Sequence, residues 1–167
     1  YRQIGDPSFW GAVRLAGLRI GAPLRRAAGL VALWQGAADD LVRRYRLRSE
    51  RIQVIPNARD AEVFQPATAE ARAQARSELG LGAGPAVLYL GALAWEKRPA
   101  DAIEAVGRVP GAHLLVAGDG PLHAELEVLA ASVAPGRVHF QGVVADPSQV
   151  LAAADALICT SATEGMA

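Results

Sequence analysis

Residues 86–120 read AVLYLGALAWEKRPADAIEAVGRVPGAHLLVAGDG. Ala86–Leu90 is an unbroken apolar run ending at a glycine, as a strand covered on both faces should be. Pro99–Val106 carries apolar residues at helical spacing behind a proline at the first helical position. His113–Ala117 is a second apolar run, again closed by glycine. Strand, helix and strand at this pitch predict parallel neighbours, because a parallel pair needs a crossover of a dozen or more residues. The alternation continues outward, with helices predicted over Ala69–Leu79, Leu122–Ser132 and Pro147–Ala153 and strands over Arg137–Phe140 and Ala156–Cys159. The expectation is an α/β fold, a Rossmann-like parallel sheet with flanking helices on both faces. Ligands of such sheets bind outside the carboxyl ends of the strands, so the loops after Leu90, Ala117, Phe140 and Cys159 are where chemistry is sought.

Upstream, two breaks, Pro56-Asn57 and Gln65-Pro66 to Thr68, bracket Val63-Phe64 and read as an interdomain crossing. They divide the chain into 1–63, the end of a first Rossmann-like domain, and 64–167, the first part of a second. In the first part, Trp10–Ile20 has helical periodicity with Arg14 and Arg19 outward, and Gly29–Trp34 is an apolar run of strand length. A helix over Ala37–Arg46 is expected to bury Ala38, Leu41, Val42 and Tyr45, with its arginines in the last turn complementing the helix dipole. Arg51–Ile55 alternates as a strand.

Composition narrows the function classes. With 51% hydrophobic and 20% charged residues and a formal net charge of zero, neither disorder nor a globally basic nucleic-acid binder is favoured, and any anion must be held locally. The single cysteine, Cys159, is expected in a buried strand, which excludes an internal disulfide framework, argues against a zinc site and fits a reducing cytoplasm. The longest uncharged stretch, Leu79–Trp95, is broken by glycines and Pro85 and falls short of the roughly 20 apolar residues a spanning helix needs. The chain opens at Tyr1 with no signal segment, and both ends read as cuts in a longer protein.

Each of the four loops carries an unusual residue beside a plain structural alternative. In Gly91–Pro99, Lys97 is the one lysine among seventeen basic residues. A compact ammonium kept against that bias suits point-charge contact with a phosphate at a helix N-terminus, though a solvated helix start would also accept it. Gly118-Asp119-Gly120-Pro121 half resembles a dinucleotide fingerprint, but His123 replaces the third glycine. Gln141-Gly142 also stands where a nicotinamide site needs an acid, so the motif equally reads as a tight turn before a helix. Gln141–Val144 offers glycine and small apolar side chains for a flat base, or is an ordinary turn. In Thr160–Ala167, Glu164 sets a carboxylate beside Gly165 where the chain leaves a strand, a place also suited to a helix N-terminal acid.

In this order and spacing the segments resemble glycosyltransferase family 4. They are Val54 to Phe64; Tyr89-Leu90-Gly91 with Glu96-Lys97; Val116 to Pro121; Arg137 to Val143; Ala154-Asp155-Ala156; and Ser161 to Gly165. The resemblance implies the GT-B arrangement of two Rossmann-like domains, with the donor held mainly by the second. It implies transfer of a sugar from a nucleotide diphosphate-sugar with retention of anomeric configuration, with no cofactor and no bound metal. Carried over by position, Lys97 binds the donor diphosphate and stabilises its growing charge. Glu164 contacts the donor sugar hydroxyls. Backbone groups of Gly165, Met166 and Ala167 face sugar and phosphate, Gly142, Val143 and Val144 line the base, and Gly91, Gly118 and Gly120 let backbone approach the donor cleft. Asn57 and Asp60 shape the crossing.

Three departures qualify the match. Ala92 stands where the family often has a second diphosphate-binding arginine, leaving Lys97 with Arg98 as a lesser helper. Asn57-Ala58 replaces Asn-Gly, and a left-handed backbone at Ala58 would cost on the order of 1 kcal/mol. The ribose-binding Glu expected eight positions beyond Glu164 falls past Ala167, so the chain as given is expected to be inactive. A sugar-nucleotide 2-epimerase on the same scaffold and a non-catalytic nucleotide-sugar-binding module remain the alternatives. The acceptor, whether saccharide, lipid or small molecule, is open. Arg14, Arg19, Arg25 and Arg26 near Phe9 and Trp10 allow peripheral association with the inner face of a membrane, against a helix simply packed on the first domain.

Overall fold

The computed structural model describes residues 21–62 and 64–162. The expected helix over Trp10–Ile20, with Phe9, Arg14 and Arg19, lies outside the described residues, as do Val63, Glu164, Gly165, Met166 and Ala167. Contacts divide the chain between Arg59 and Asp60, whereas the sequence reading put the crossing after residue 63.

Before that division, β1 (Leu30–Ala32), α1 (Gln35–Tyr45) and β2 (Ile52–Val54) form a β-α-β unit with the two strands parallel, Leu30 facing Ile52. Arg43 and Arg44 sit in the last turn of α1 as expected, both reaching Asp40. One expectation fails: Ala38 is buried, but Leu41, Val42 and Tyr45 are only half-buried. Two strands of three residues offer too narrow a surface to cover a whole helix face, so only the small side chain closes fully onto it. Among the described residues the non-glycine positions with positive φ are Arg46 and Arg98. Ala58 therefore does not adopt the costly left-handed conformation.

After the division come α2 (Ala69–Glu78), β3 (Ala86–Leu90), α3 (Pro99–Gly107), β4 (His113–Ala117), α4 (His123–Val133), β5 (Val138–Gly142), α5 (Ser148–Ala153) and β6 (Ala156–Leu157). The Thr68 hydroxyl caps α2 by accepting from the Ala71 N–H at 3.2 Å, meeting one of the orphan donors of a helix start. The sheet order is β5-β4-β3-β6, all parallel. Side chains alternate between its faces. Tyr89, Leu114 and Val116 pack with Ile103 and Val106 of α3 and Leu126 of α4, while Leu88, Leu115 and Ala117 pack with Ala75 of α2 and Val150 of α5. Leu88, Leu114, Leu115 and Ile103 are completely buried, each contributing roughly 1.5–3 kcal/mol of transfer free energy.

Two strands differ from expectation. β5 begins one residue later than read and runs to Gly142, because a bulge changes its register: Val116 faces Phe140, but Ala117 faces Gly142. β6 is shorter than Ala156–Cys159 and is exposed rather than buried, with Leu157 61% exposed and Cys159 exposed. Among the described strands it pairs with β3 alone and lies at the edge of the sheet, and of the run Ala156–Cys159 only Ile158 packs partly against the core, so a run that reads as doubly covered is largely exposed here.

Charged side chains brace the amino-end of the sheet. The Asp155 carboxylate accepts from the Ala86 N–H at 2.8 Å and from Arg72 Nη2 at 2.5 Å. Arg72 and Arg76 also donate to the carbonyls of Ala154 (2.8 Å), Ala153 (3.2 Å) and Gly84 (2.5 Å). This network ties α2 to the end of α5 and to the first residue of β3. The Ala86 N–H foremost, and then the arginines, hold the Asp155 carboxyl below the usual carboxylate range.

Candidate functional site

The chain runs β3 to β4 to β5 in one direction across the sheet and then returns to lay β6 on the other side of β3. The reversal falls between β3 and β6, and a crevice outside the carboxyl ends of the strands at such a point is the usual ligand site of open α/β sheets. The loops after those two strands are bonded to each other here. The Ala162 N–H donates to the Glu96 carbonyl at 3.0 Å, and the Thr160 hydroxyl donates to the Lys97 carbonyl at 2.9 Å.

Lys97 belongs to a 3-10 turn, Trp95–Lys97, and Arg98 separates it from the first residue of α3. This corrects the expectation of a lysine at the helix start. The turn breaks there because Arg98 takes a left-handed conformation, φ 50° and ψ 50°, and Pro99 then begins α3. The Arg98 guanidinium is paired with Asp101 at 2.6 Å, so the lesser helper has a carboxylate partner of its own. Lys97 and Glu96 are half-buried, while Trp95 is 57% exposed.

The second loop leans on the first. Gly118 has φ +146°, and a Cβ on it would stand 1.9 Å from the Gly91 carbonyl oxygen. A Cβ on Gly120 would meet Leu93 backbone atoms at 2.5–2.9 Å. The side-chain space of both glycines is thus filled by the chain's own first loop. Their visible task is close packing of backbone on backbone, with Gly91 N–H on the Ala117 carbonyl and Leu93 N–H on the Asp119 carbonyl, both 3.0 Å. The Asp119 carboxylate accepts from the Gly120 N–H at 2.7 Å and faces His123 Nδ1 at 3.2 Å. The Gly120 N–H first, then His123, lower its pKa, so it stays ionised and holds the turn. His123, read only as a missing glycine, stacks on Phe140 with ring centroids 5.1 Å apart.

The third loop joins the same surface, for Gly118 N–H donates to the Gly142 carbonyl at 2.7 Å. Gly142 has φ +65° with nothing within 4 Å of where a Cβ would be. Val143 is 79% exposed, whereas Val144 packs against the cluster under α2 and α5. Of the three residues assigned to a base, Gly142 and Val143 border open space and Val144 belongs partly to the core. Glu164, Gly165, Met166 and Ala167 lie outside the described residues.

The structure therefore gathers Gly91, Lys97, Gly118, Gly120 and Gly142 along one edge, joined by hydrogen bonds. Sequence reasoning did not single out the Thr160 hydroxyl or the Asp119 carboxylate, which fasten the loops. A hydroxyl just past a strand and an acid beside two glycines were the available signals. Among the described residues no three His, Cys, Asp or Glu side chains cluster as a metal set would. None of their helices is long and apolar enough to cross a membrane.

This parallel α/β architecture, with its loops joined at the carboxyl edge, is that of the GT-B class of fold. The chain belongs to the family described as glycosyl transferases group 1, whose profile matches residues 84–167. It is similar to the 2-deoxystreptamine glucosyltransferase of Streptomyces kanamyceticus, 32% identical over 149 residues that cover 84% of this chain and 38% of the relative. It is also similar to the alpha-D-kanosaminyltransferase of the same organism, 34% identical over 134 residues that cover 77% and 33%. The chain thus spans 38% or less of the length of these two relatives. Among solved structures, Anabaena HepE in complex with UDP and glucose superposes with a TM-score of 0.75 at 24% identity, covering 87% of this chain and 42% of HepE.

Proposed function

We propose that this protein moves a sugar from a nucleotide diphosphate-sugar donor to an acceptor with retention of configuration, as a family 4 glycosyltransferase working without metal or cofactor. The observation that carries the proposal is the Lys97 turn bonded across the switch point to residues 160–162. Those bonds hold the backbone carbonyls of Glu96 and Lys97 beside the end of β6, which supports a role for the one lysine of the chain at the carboxyl ends of the strands. When the glycosidic bond breaks, negative charge grows on the leaving diphosphate, and a fixed ammonium stabilises that transition state more than the ground state. Glu164, a few residues beyond the bonded segment, would hold the donor sugar hydroxyls, with Gly165, Met166 and Ala167 offering backbone N–H groups. Gly142 and Val143 would border the base. Domain 1–63 would serve the acceptor side, and the protein would work in the cytoplasm or on the inner face of a membrane.

The family and the transferase names of both relatives support transfer over epimerisation. HepE's complex with UDP makes a uridine donor the first to try. Ala92, exposed where a second cation is expected, is the one feature favouring a binding module. Incubation of the whole protein with labelled nucleotide sugars, with NMR of the anomeric centre of the product, is the trial. Product with the donor's anomeric configuration is expected. Inverted product would sink retention, a C2-epimerised nucleotide sugar would make it an epimerase, and tight binding without turnover would make it a module.

A further inference from the structure

Trp95 is the largest side chain on the carboxyl edge of the sheet and is 57% exposed. It does not ride on a loose loop. Lys97 N–H donates to the Ala94 carbonyl at 3.0 Å and Arg98 N–H to the Trp95 carbonyl at 3.2 Å. The next two carbonyls, of Glu96 and Lys97, are held by Ala162 and Thr160. An exposed indole on a turn fastened at both ends keeps a large apolar surface in water while losing little freedom on binding. Leu90, at the end of β3, is 42% exposed and Val143 79% exposed, so the edge also carries other apolar surface without charge.

We propose that Trp95 is the stacking platform for the acceptor, and that the acceptor presents a six-membered saturated ring, a pyranose or a cyclitol, with an open C–H face. This rests on the transfer reading above. The indole face carries the negative side of its quadrupole and attracts polarised C–H groups, while ring hydroxyls at the rim stay hydrated. Position decides between donor and acceptor ring. Glu96 and Lys97 are half-buried and held to residues 160–162 through their carbonyls, whereas Trp95 is 57% exposed. The transfer reading assigns the donor to Lys97, which leaves the exposed indole for the second ring.

The test is saturation-transfer NMR on the whole protein with glucose, galactose, myo-inositol and acyclic sorbitol, beside calorimetry with nucleoside diphosphates on the same samples. Ring C–H protons should saturate for at least one cyclic compound and not for sorbitol. Trp95→Phe should retain the signal. Trp95→Leu, which keeps apolar bulk but has no ring face, should lose it and raise the acceptor KM about tenfold, equivalent to 1.4 kcal/mol. Nucleotide affinity should stay within about threefold, less than the tenfold that 1.4 kcal/mol represents. Ring signals that persist in Trp95→Leu, signals that sorbitol shares, or an equal loss of nucleotide affinity would each overturn the proposal. Nucleotide binding without any ring signal overturns this proposal alone; ring binding on Trp95 without nucleotide binding overturns the transfer reading and, with it, the acceptor role given to Trp95.

Discussion

Gly118→Ala separates steric packing from backbone strain. A Cβ at Gly118 would lie 1.9 Å from the Gly91 carbonyl oxygen, where a carbon and an oxygen normally keep more than 3 Å, so the first two loops must part by more than about 1 Å. That opening stretches the Gly91-to-Ala117 and Leu93-to-Asp119 hydrogen bonds, both 3.0 Å, worth about 1 kcal/mol each. The φ of +146° adds strain of roughly 1–2 kcal/mol for a residue with a Cβ. The sum is about 3–4 kcal/mol. Gly111→Ala is the control, because its φ is +74° but nothing lies within 4 Å of the new carbon, leaving only strain of about 1–2 kcal/mol. Urea unfolding followed by circular dichroism measures both. At a slope of about 2 kcal/mol per molar, the Gly118→Ala midpoint should fall by about 1.5–2 M and that of Gly111→Ala by no more than about 1 M. Equal shifts would refute the claim that loop-on-loop packing, rather than φ alone, requires glycine at 118.

Arg137 donates to the carbonyls of Val106, Val109 and Ala112 at 2.9–3.1 Å, closing the end of α3. Arg137→Ala should therefore cost about 1.5–3 kcal/mol in the same assay, with Arg137→Lys restoring less than half because an ammonium lacks the planar fork. Asp155 has a depressed pKa in the folded state, so its contribution is present above the unfolded carboxyl value near 4 and disappears as pH falls through the folded value. The stability gap between wild type and Asp155→Asn should be constant near neutrality and close below about pH 4. His139, 3.0 Å from His113, has its pKa lowered by burial and then by the charge on His113. The folded state disfavours its protonation, so stability should drop as pH falls below the unfolded histidine value of about 6.5. His139→Gln should flatten that part of the profile, and an unchanged slope would count against the pairing.

The sheet was legible because β3 and β4 are covered on both faces, and a doubly covered strand shows in sequence as a short apolar run bounded by turn residues. β6 carries the same kind of run at an edge, so Ala156–Cys159 looks buried in sequence and is exposed in the fold. The bulge in β5 leaves no trace in Arg137–Phe140, since it depends on how Gly118 meets Gly142. At the site, the glycines and Lys97 stood out by type. Their surroundings depend on neighbours distant in sequence: Gly118 and Gly120 make room for Gly91 and Leu93, and the Lys97 carbonyl is held by Thr160. The strand order that sets the switch point between β3 and β6 is likewise a tertiary fact, and the alternation of helices and strands cannot specify it.

The proposed hold of Lys97 on the donor diphosphate is decided by calorimetric titration of the whole protein with UDP and the other nucleoside diphosphates, beside Lys97→Ala. Wild type should bind at least one, and the substitution should weaken binding by about 1.5–3 kcal/mol, the range for hydrogen bonds to charged groups. An unchanged dissociation constant in a folded Lys97→Ala protein would make Lys97 an ordinary surface residue with no part in holding the diphosphate.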